Sequence, residues 1–265
     1  MKTKTINDFI EMKKSNEKIS VLTCYDYSFA RIIDKSSIDM ILVGDSAGMV
    51  FAGYDSTIPV TMDEMIYHSK CVRRGSSKFI VADMPFMSYQ SSDRDGIMNA
   101  GRFLKEAGAN AVKIEGGFST APLIRRITDA AIPVMGHIGL QPQSVNMTGG
   151  YKVQGRNPKD ADRIIEEAKI LEEAGVFSIV VELVIEEVAK RVSESVNIPV
   201  IGIGAGRYTD GQVLVINDML GADSSYQRKY LKKYADLEGI VLGALDEYSS
   251  DVKENKFPAE ENSFI

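Results

Sequence analysis

Residues 39–49 read DMILVGDSAGM, and they pose the question of what an aspartate does at the end of so apolar a run. Met40, Ile41, Leu42 and Val43 show no polar alternation, the pattern of a strand buried on both faces in a parallel sheet. Asp45, just beyond, fits two roles. It starts a turn or caps the next helix, as aspartate often does after a strand, or it carries chemistry at a strand end. One aspartate alone favours the cap. The rest of the chain tips the balance.

The run DMILVGD (39–45) is one of eight of its kind. The others are ISVLTCY (19–25), KFIVADM (78–84), NAVKIEG (110–116), IPVMGHI (132–138), FSIVVEL (177–183), IPVIGIG (198–204) and QVLVIND (212–218). Between most of them lie segments with apolar residues at three- and four-residue spacing, the helical period. In DADRIIEEAKILEEAG (160–175), Ile164, Ile165, Ala168, Leu171 and Ala174 form one stripe, and Glu166, Glu167, Lys169, Glu172 and Glu173 lie mostly off it. Gly175 ends that helix, as Gly108 ends AGRFLKEAG. Parallel strands need a crossover helix, so eight alternations predict a (β/α)8 TIM barrel. An open doubly wound sheet is the runner-up, but it usually carries fewer strands or a clear second domain. No linker or composition break divides the chain, so one domain is expected over residues 1–265. Residues 5–16 read as an extra N-terminal helix closing the barrel floor, and residues 225–250 as the final helical section. The tail KFPAEENSFI, with Phe257 and Phe264, reads as an ordered or partner-clasping extension.

Bulk properties narrow the function. The 265 residues are 44% hydrophobic and 26% charged, with a net charge of −6. That balance argues against a nucleic-acid partner or an anionic membrane, either of which favours a basic face. No apolar stretch approaches the roughly 18–20 residues that span a bilayer. The opening MKTKTINDFIEMKK has the spacing of an amphipathic helix, not of a secretion signal. Cys24 and Cys71 match no zinc motif and read as small core residues of a reducing, cytoplasmic protein.

The residues at the ends of the apolar runs answer the opening question. Asp45 and Ser46 come after the second strand; Asp83 ends the third; Lys113 and Glu115 lie on the fourth, His137 on the fifth and Glu182 on the sixth. All fall at the C-terminal strand ends, where barrel enzymes place their chemistry. Helix caps and isolated ion pairs account poorly for so many polar groups on one rim. Asp45, Asp83 and Glu115 are hard oxygen ligands with no cysteine nearby, a set that selects Mg2+ over zinc or copper. Lys113 shares a strand face with Glu115 and would bind a substrate carboxylate or carbonyl; a Schiff-base lysine is the rival reading. Glu182 ends an apolar run, which raises a carboxyl pKa and suits a general base, against an ion pair with a distant cation. His137 either orients substrate or is a satisfied wall histidine. His68 reads as an ordinary helix residue. The glycines of GIGAGR (202–207) either cradle phosphate or let a loop approach the rim. RRG (73–75) and KKY (232–234) read as solvated faces.

VGDSAGMV, VADMPFMSY, AVKIEGG, MGHIGLQPQSVN, GGYKVQGR, GIGAGRYTDGQVLVINDMLG and FPAEENSF, in that order from residue 3 to 264, resemble the ketopantoate hydroxymethyltransferase family. The resemblance implies a (β/α)8 barrel of the phosphoenolpyruvate/pyruvate type and a ring-like homo-oligomer. It implies hydroxymethyl transfer from 5,10-methylenetetrahydrofolate to the keto acid 3-methyl-2-oxobutanoate, giving 2-dehydropantoate. By motif, Asp45, Asp83 and Glu115 fall on metal positions, and Ser46, Asp83, Lys113 and Asp45 on keto-acid contacts. Glu182 falls on the proton acceptor. Two departures stand out: GADSSYQRKYLKKYADL (221–237) lacks the expected phenylalanines and proline, and Asn217 replaces a frequent histidine. Alternatives are another Mg2+-dependent keto-acid lyase or aldolase, or a non-catalytic keto-acid-binding barrel. The latter predicts a lost base or ligand, and none is lost.

Overall fold

The computed structural model describes residues 3–264. Eight strands, β1 (Ile19–Thr23), β2 (Met40–Val43), β3 (Phe79–Asp83), β4 (Ala111–Glu115), β5 (Val134–Gly139), β6 (Ser178–Glu182), β7 (Val200–Ile203) and β8 (Gly211–Leu214), close into a barrel in chain order. Every pair is parallel, and β8 returns to β1 through Ile19↔Gly211 and Val21↔Val213. Helices return the chain between successive strands up to β7; a loop joins β7 to β8.

The interior is layered by the two-residue period of the strand. At the floor, Phe9, Met12, Ile19, Phe79 and Phe177 pack together, with Phe79 edge-on to Phe9 at 5.3 Å and to Phe177 at 5.6 Å. Above them Val21, Leu42, Val81, Ala111, Met135, Val180, Ile201 and Val213 fill the middle. Two residues further along the same strands the interior turns polar: Val81 gives way to Asp83, Ala111 to Lys113 with Glu115 two beyond it, Met135 to His137, and Val180 to Glu182.

The floor is sealed by helix Ile6–Lys14, as the sequence predicts. Thr5 and Asp8 form a reciprocal capping box at its start. Phe9 and Met12 face inward, and Lys13 Nζ donates to the Ser193 and Ile198 carbonyls, 2.8 Å each, while pairing with Asp210 at 2.9 Å.

Several boundaries differ from expectation. The run QVLVIND splits: the strand stops at Leu214, and Ile216–Leu220 is a short helix. An apolar run of that length suits either state, and the barrel needs only four residues here. Glu167 is buried on the helix Pro158–Glu173, where Arg163 Nη1 reaches both carboxylate oxygens at 2.8 Å. Arg73 is half-buried, donating to the Ser76 and Lys78 carbonyls, so RRG is only partly a solvated face.

Residues from Ile216 onward form a second compact unit. Its long helix runs only over Leu237–Lys253, capped by Asp236, and residues 221–236 are not helical. Asp223 explains part of this: its carboxylate accepts the Ser225 and Tyr226 backbone N–H groups, competing with helix formation. In the tail, Phe257 lies edge-on to Tyr248 at 5.9 Å, while Phe264 is fully exposed.

Candidate active site

The barrel register places the polar side chains side by side. Asp83 pairs with Lys113 across β3 and β4, and Glu115 with His137 across β4 and β5. Lys113 Nζ lies 2.5 Å from Asp83 Oδ1 and 3.0 Å from His137 Nδ1. An ammonium has only protons to give, so His137 Nδ1 accepts and its Nε2 carries the ring proton. That Nε2 faces Glu182 Oε2 at 3.3 Å, without hydrogen-bond geometry. Asp45 joins from beyond β2: its backbone N–H donates to Asp83 Oδ2 at 3.1 Å, and its own carboxylate accepts from Gln143. It does not cap the next helix, whose first turn has no side-chain cap. Ser46 Oγ stands 2.9 Å from the Tyr25 hydroxyl at the end of β1.

The electrostatics follow from burial. Asp45, Asp83, Glu115, Lys113 and His137 are all buried, so four carboxylates including Glu182 face one ammonium. Desolvation raises the Asp45 and Glu115 carboxyls, and neighbouring carboxylates add to the rise while Lys113 opposes it. Burial pushes Glu182 up to about 7, with Lys113 pulling the other way. Its side chain keeps 16% exposure, enough to meet a ligand in the mouth. His137 is held well below the usual imidazole range by burial and by Lys113. Burial disfavours a charged Lys113, yet Asp83, Glu115 and Asp45 together hold it above the ordinary lysine range. A Schiff-base lysine needs the reverse shift. Lys113 is a cation here, not a nucleophile.

Backbone strain sits beside the base. Leu183 adopts φ +46, in the left-handed region that branched residues avoid. Hydrogen bonds fix it on both sides, from Leu183 N–H to Ile203 O (2.9 Å) and from Gln154 N–H to Leu183 O (2.7 Å). The Leu140 N–H donates to Glu182 O at 2.8 Å, where Gly139 is needed because a Cβ there would fall 2.5 Å from that same oxygen.

Of the remaining sequence candidates, His68 lies on the helix Met62–Gly75, where its Nδ1 contacts Tyr25 O at 2.7 Å. The glycines of residues 202–207 serve close approach: a Cβ on Gly206 would meet Glu186 Cγ at 2.4 Å, and Arg207 pairs with Glu186. A carboxylate lies against that loop, which disfavours a phosphate there. Cys24 and Cys71 are buried and free.

Three residues of this network escape sequence reasoning. Gln143 donates from Nε2 to Asp45 Oδ2 at 2.9 Å and from its backbone N–H to Glu115 Oε2 at 3.0 Å. Tyr89 donates to Gln143 Oε1 at 2.9 Å, and Tyr25 contacts Ser46. The sequence signal is thin: Gln143 follows Pro142 in a turn after β5, and neutral residues in loops look like solvent-facing ones.

The ketopantoate hydroxymethyltransferase family model matches residues 3–260. A 3-methyl-2-oxobutanoate hydroxymethyltransferase of Clostridium botulinum is 56% identical over 261 residues, covering 98% of this chain and 95% of that protein. The chain belongs to the ketopantoate hydroxymethyltransferase family. A second family member, from Geobacter metallireducens, is 52% identical over 262 residues, 98% of each chain. Beyond the family, the barrel is similar to solved structures that include a member of the phosphoenolpyruvate mutase/isocitrate lyase superfamily. Phosphonopyruvate hydrolase, crystallised with oxalate and Mg2+, gives a TM-score of 0.62 at 12% identity, covering 98% of this chain and 93% of that one. A 2,3-dimethylmalate lyase gives 0.59 at 14% identity, covering 97% and 91%. At such identities the likeness shows the fold alone.

Proposed function

We propose that this ketopantoate hydroxymethyltransferase family member transfers a hydroxymethyl group from 5,10-methylenetetrahydrofolate to 3-methyl-2-oxobutanoate, giving 2-dehydropantoate. The observation carrying the reading is Glu182, a carboxylate with a pKa of about 7, facing His137 at the edge of a buried acidic cluster. A base of that pKa is matched to neutral pH.

A divalent cation fits the donor set. Four carboxylates against one ammonium leave an uncompensated buried negative charge, and Glu115 Oε1 is buried with no hydrogen-bond partner. The donors are hard oxygens, which suits Mg2+. Among the described residues, no three His, Cys, Asp or Glu side chains already close into a cation cage. Lys113 holds Asp83, and Gln143 holds one oxygen each of Asp45 and Glu115. Asp45, Asp83 and Glu115 would hold the ion. When bound, Mg2+ supplies Lewis acidity that makes the C–H beside the ketone easier to ionise.

The chain's own residues do the rest. Lys113 neutralises the keto-acid carboxylate, and Ser46, Asp45 and Asp83 position it. Glu182 takes the C3 proton, and the enolate carbon bonds to the one-carbon unit that water releases from the folate at the formaldehyde level. Water thus supplies the hydroxyl oxygen, both carbon–nitrogen bonds break and tetrahydrofolate leaves. His137, with Nε2 3.3 Å from Glu182 Oε2, lines the mouth beside the base and is the substrate-orienting residue. Exposed Ile240, Leu242 and Leu245 on the helix Leu237–Lys253, which buries no residue, support assembly into a ring-like homo-oligomer. The two buried free cysteines support a reducing, cytoplasmic setting.

NMR-followed deuterium exchange at C3 of 3-methyl-2-oxobutanoate tests base and ion together. Exchange is expected with Mg2+ and without folate, and it should stop with EDTA. Exchange that ignores EDTA would remove the ion from the mechanism.

A further inference from the structure

Gln143 is 4% exposed and Tyr89 is 3% exposed, yet neither is among the charged groups of the mouth. Every polar atom of the Gln143 side chain is used. Nε2 gives its two protons to Asp45 Oδ2 and to the Met84 carbonyl, both at 2.9 Å. Oε1 accepts from the Tyr89 hydroxyl at 2.9 Å and from Gln90 Nε2 at 3.3 Å. Pure acceptors on one side and donors on the other allow only one orientation of the amide. The backbone N–H of the same residue donates to Glu115 Oε2 at 3.0 Å. One residue thus ties a carboxylate beyond β2 to another on β4, and it uses one oxygen of each. The second oxygen of Glu115 is left buried and without a hydrogen-bond partner. A glutamine kept only to fill space would be replaceable by an apolar side chain of the same volume, and such a chain would orient neither acid.

We propose that Gln143, its amide held by the Tyr89 hydroxyl, is the positioning residue that fixes Asp45 and Glu115 for a divalent cation. The inference rests on the cation reading given above and adds to it the residues that aim the ligands. Groups that orient metal ligands typically carry about 10–100-fold in metal affinity.

The test is Mn2+ affinity of the full-length protein without substrate, followed by electron paramagnetic resonance, for wild type, Asp45→Asn, Gln143→Met, Tyr89→Phe and the double variant. Gln143→Met keeps the length and the backbone donor but loses the amide. Circular dichroism confirms that each variant is folded. Gln143→Met is expected to weaken Mn2+ binding about 10–100-fold. Tyr89→Phe, which removes a hydroxyl that donates to Gln143 Oε1 at 2.9 Å and also reaches the Glu115 carbonyl at 3.2 Å, should weaken it about three- to tenfold. If Tyr89 acts through its shorter bond to Gln143 and not through the Glu115 carbonyl, the double variant should be no weaker than Gln143→Met. Wild-type affinity in Gln143→Met overturns the proposal. Losses that multiply in the double variant overturn the relay from Tyr89. A wild type that binds no Mn2+, or an Asp45→Asn variant that binds it as tightly as wild type, overturns the cation reading itself and is distinguishable from both.

Discussion

The two ends of the barrel interior are built from the same strands, a few residues apart, and they are opposites. At the floor Phe9, Phe79 and Phe177 meet edge to face in a sealed apolar layer. At the mouth Asp83, Lys113, Glu115, His137 and Glu182 occupy the equivalent inward positions, with carboxylates outnumbering cations. The floor gains free energy by removing aromatic surface from water. The mouth costs free energy, because like charges are desolvated together. A barrel therefore separates stability from chemistry along its axis: the floor holds the strands in register so that the mouth can stay strained.

The largest effect expected from this division is on turnover. Glu182→Gln should lower kcat by about 10²–10⁴-fold while keto-acid binding, measured by calorimetry, stays near wild type. Retained turnover would take Glu182 out of the chemistry. At the opposite end, Phe9→Ala should cost about 3–5 kcal/mol of stability in urea denaturation, with kcat per folded molecule unchanged. A matching loss in kcat would mean that floor and mouth are not separable.

A smaller effect has the opposite sign. Glu115→Gln removes a buried charge and keeps the acceptor for Gln143 N–H, so the metal-free protein should gain about 1 kcal/mol, or about 2–4 °C in Tm, while losing Mg2+ affinity. A lower Tm would mean that the acidic cluster stabilises the fold. The subtlest test is pH. The folded Glu182 pKa is raised from 4.5 to about 7, so the fold favours its neutral form. Its contribution to stability is therefore complete below about 4.5 and is lost as pH rises through about 7. Turnover needs the ionised base and should rise over that same window. Metal-free melting temperature and kcat should slope in opposite directions between those values; parallel slopes would break the assignment.

Much of this was legible beforehand for a physical reason. Apolar runs without alternation mark strands covered on both sides, and a polar residue two places beyond an inward apolar one must also point inward. Val81 to Asp83 and Val180 to Glu182 obey that rule. The rule fails where packing decides between states. QVLVIND divides into strand and helix, and residues 225–236, read as the start of the final helical section, are not helical, with Asp223 accepting from the Ser225 and Tyr226 backbone N–H groups. Gln143 and Tyr89 lie within the family-like stretches MGHIGLQPQSVN and VADMPFMSY, but a neutral loop residue carries no periodic or charge signal that singles out its role.

The order of residues was enough to set the eight strands, the sealing helix at the floor and the identities of the acids, the lysine and the lone glutamate at the strand ends. Those come from local periodicity and from which side chains water rejects. The closed barrel alone made Lys113 a cation clamped by carboxylates, aimed Asp45 with an amide from beyond β5, and set Glu182 facing His137. Such facts depend on distances between segments far apart in the chain, and no local pattern encodes a distance.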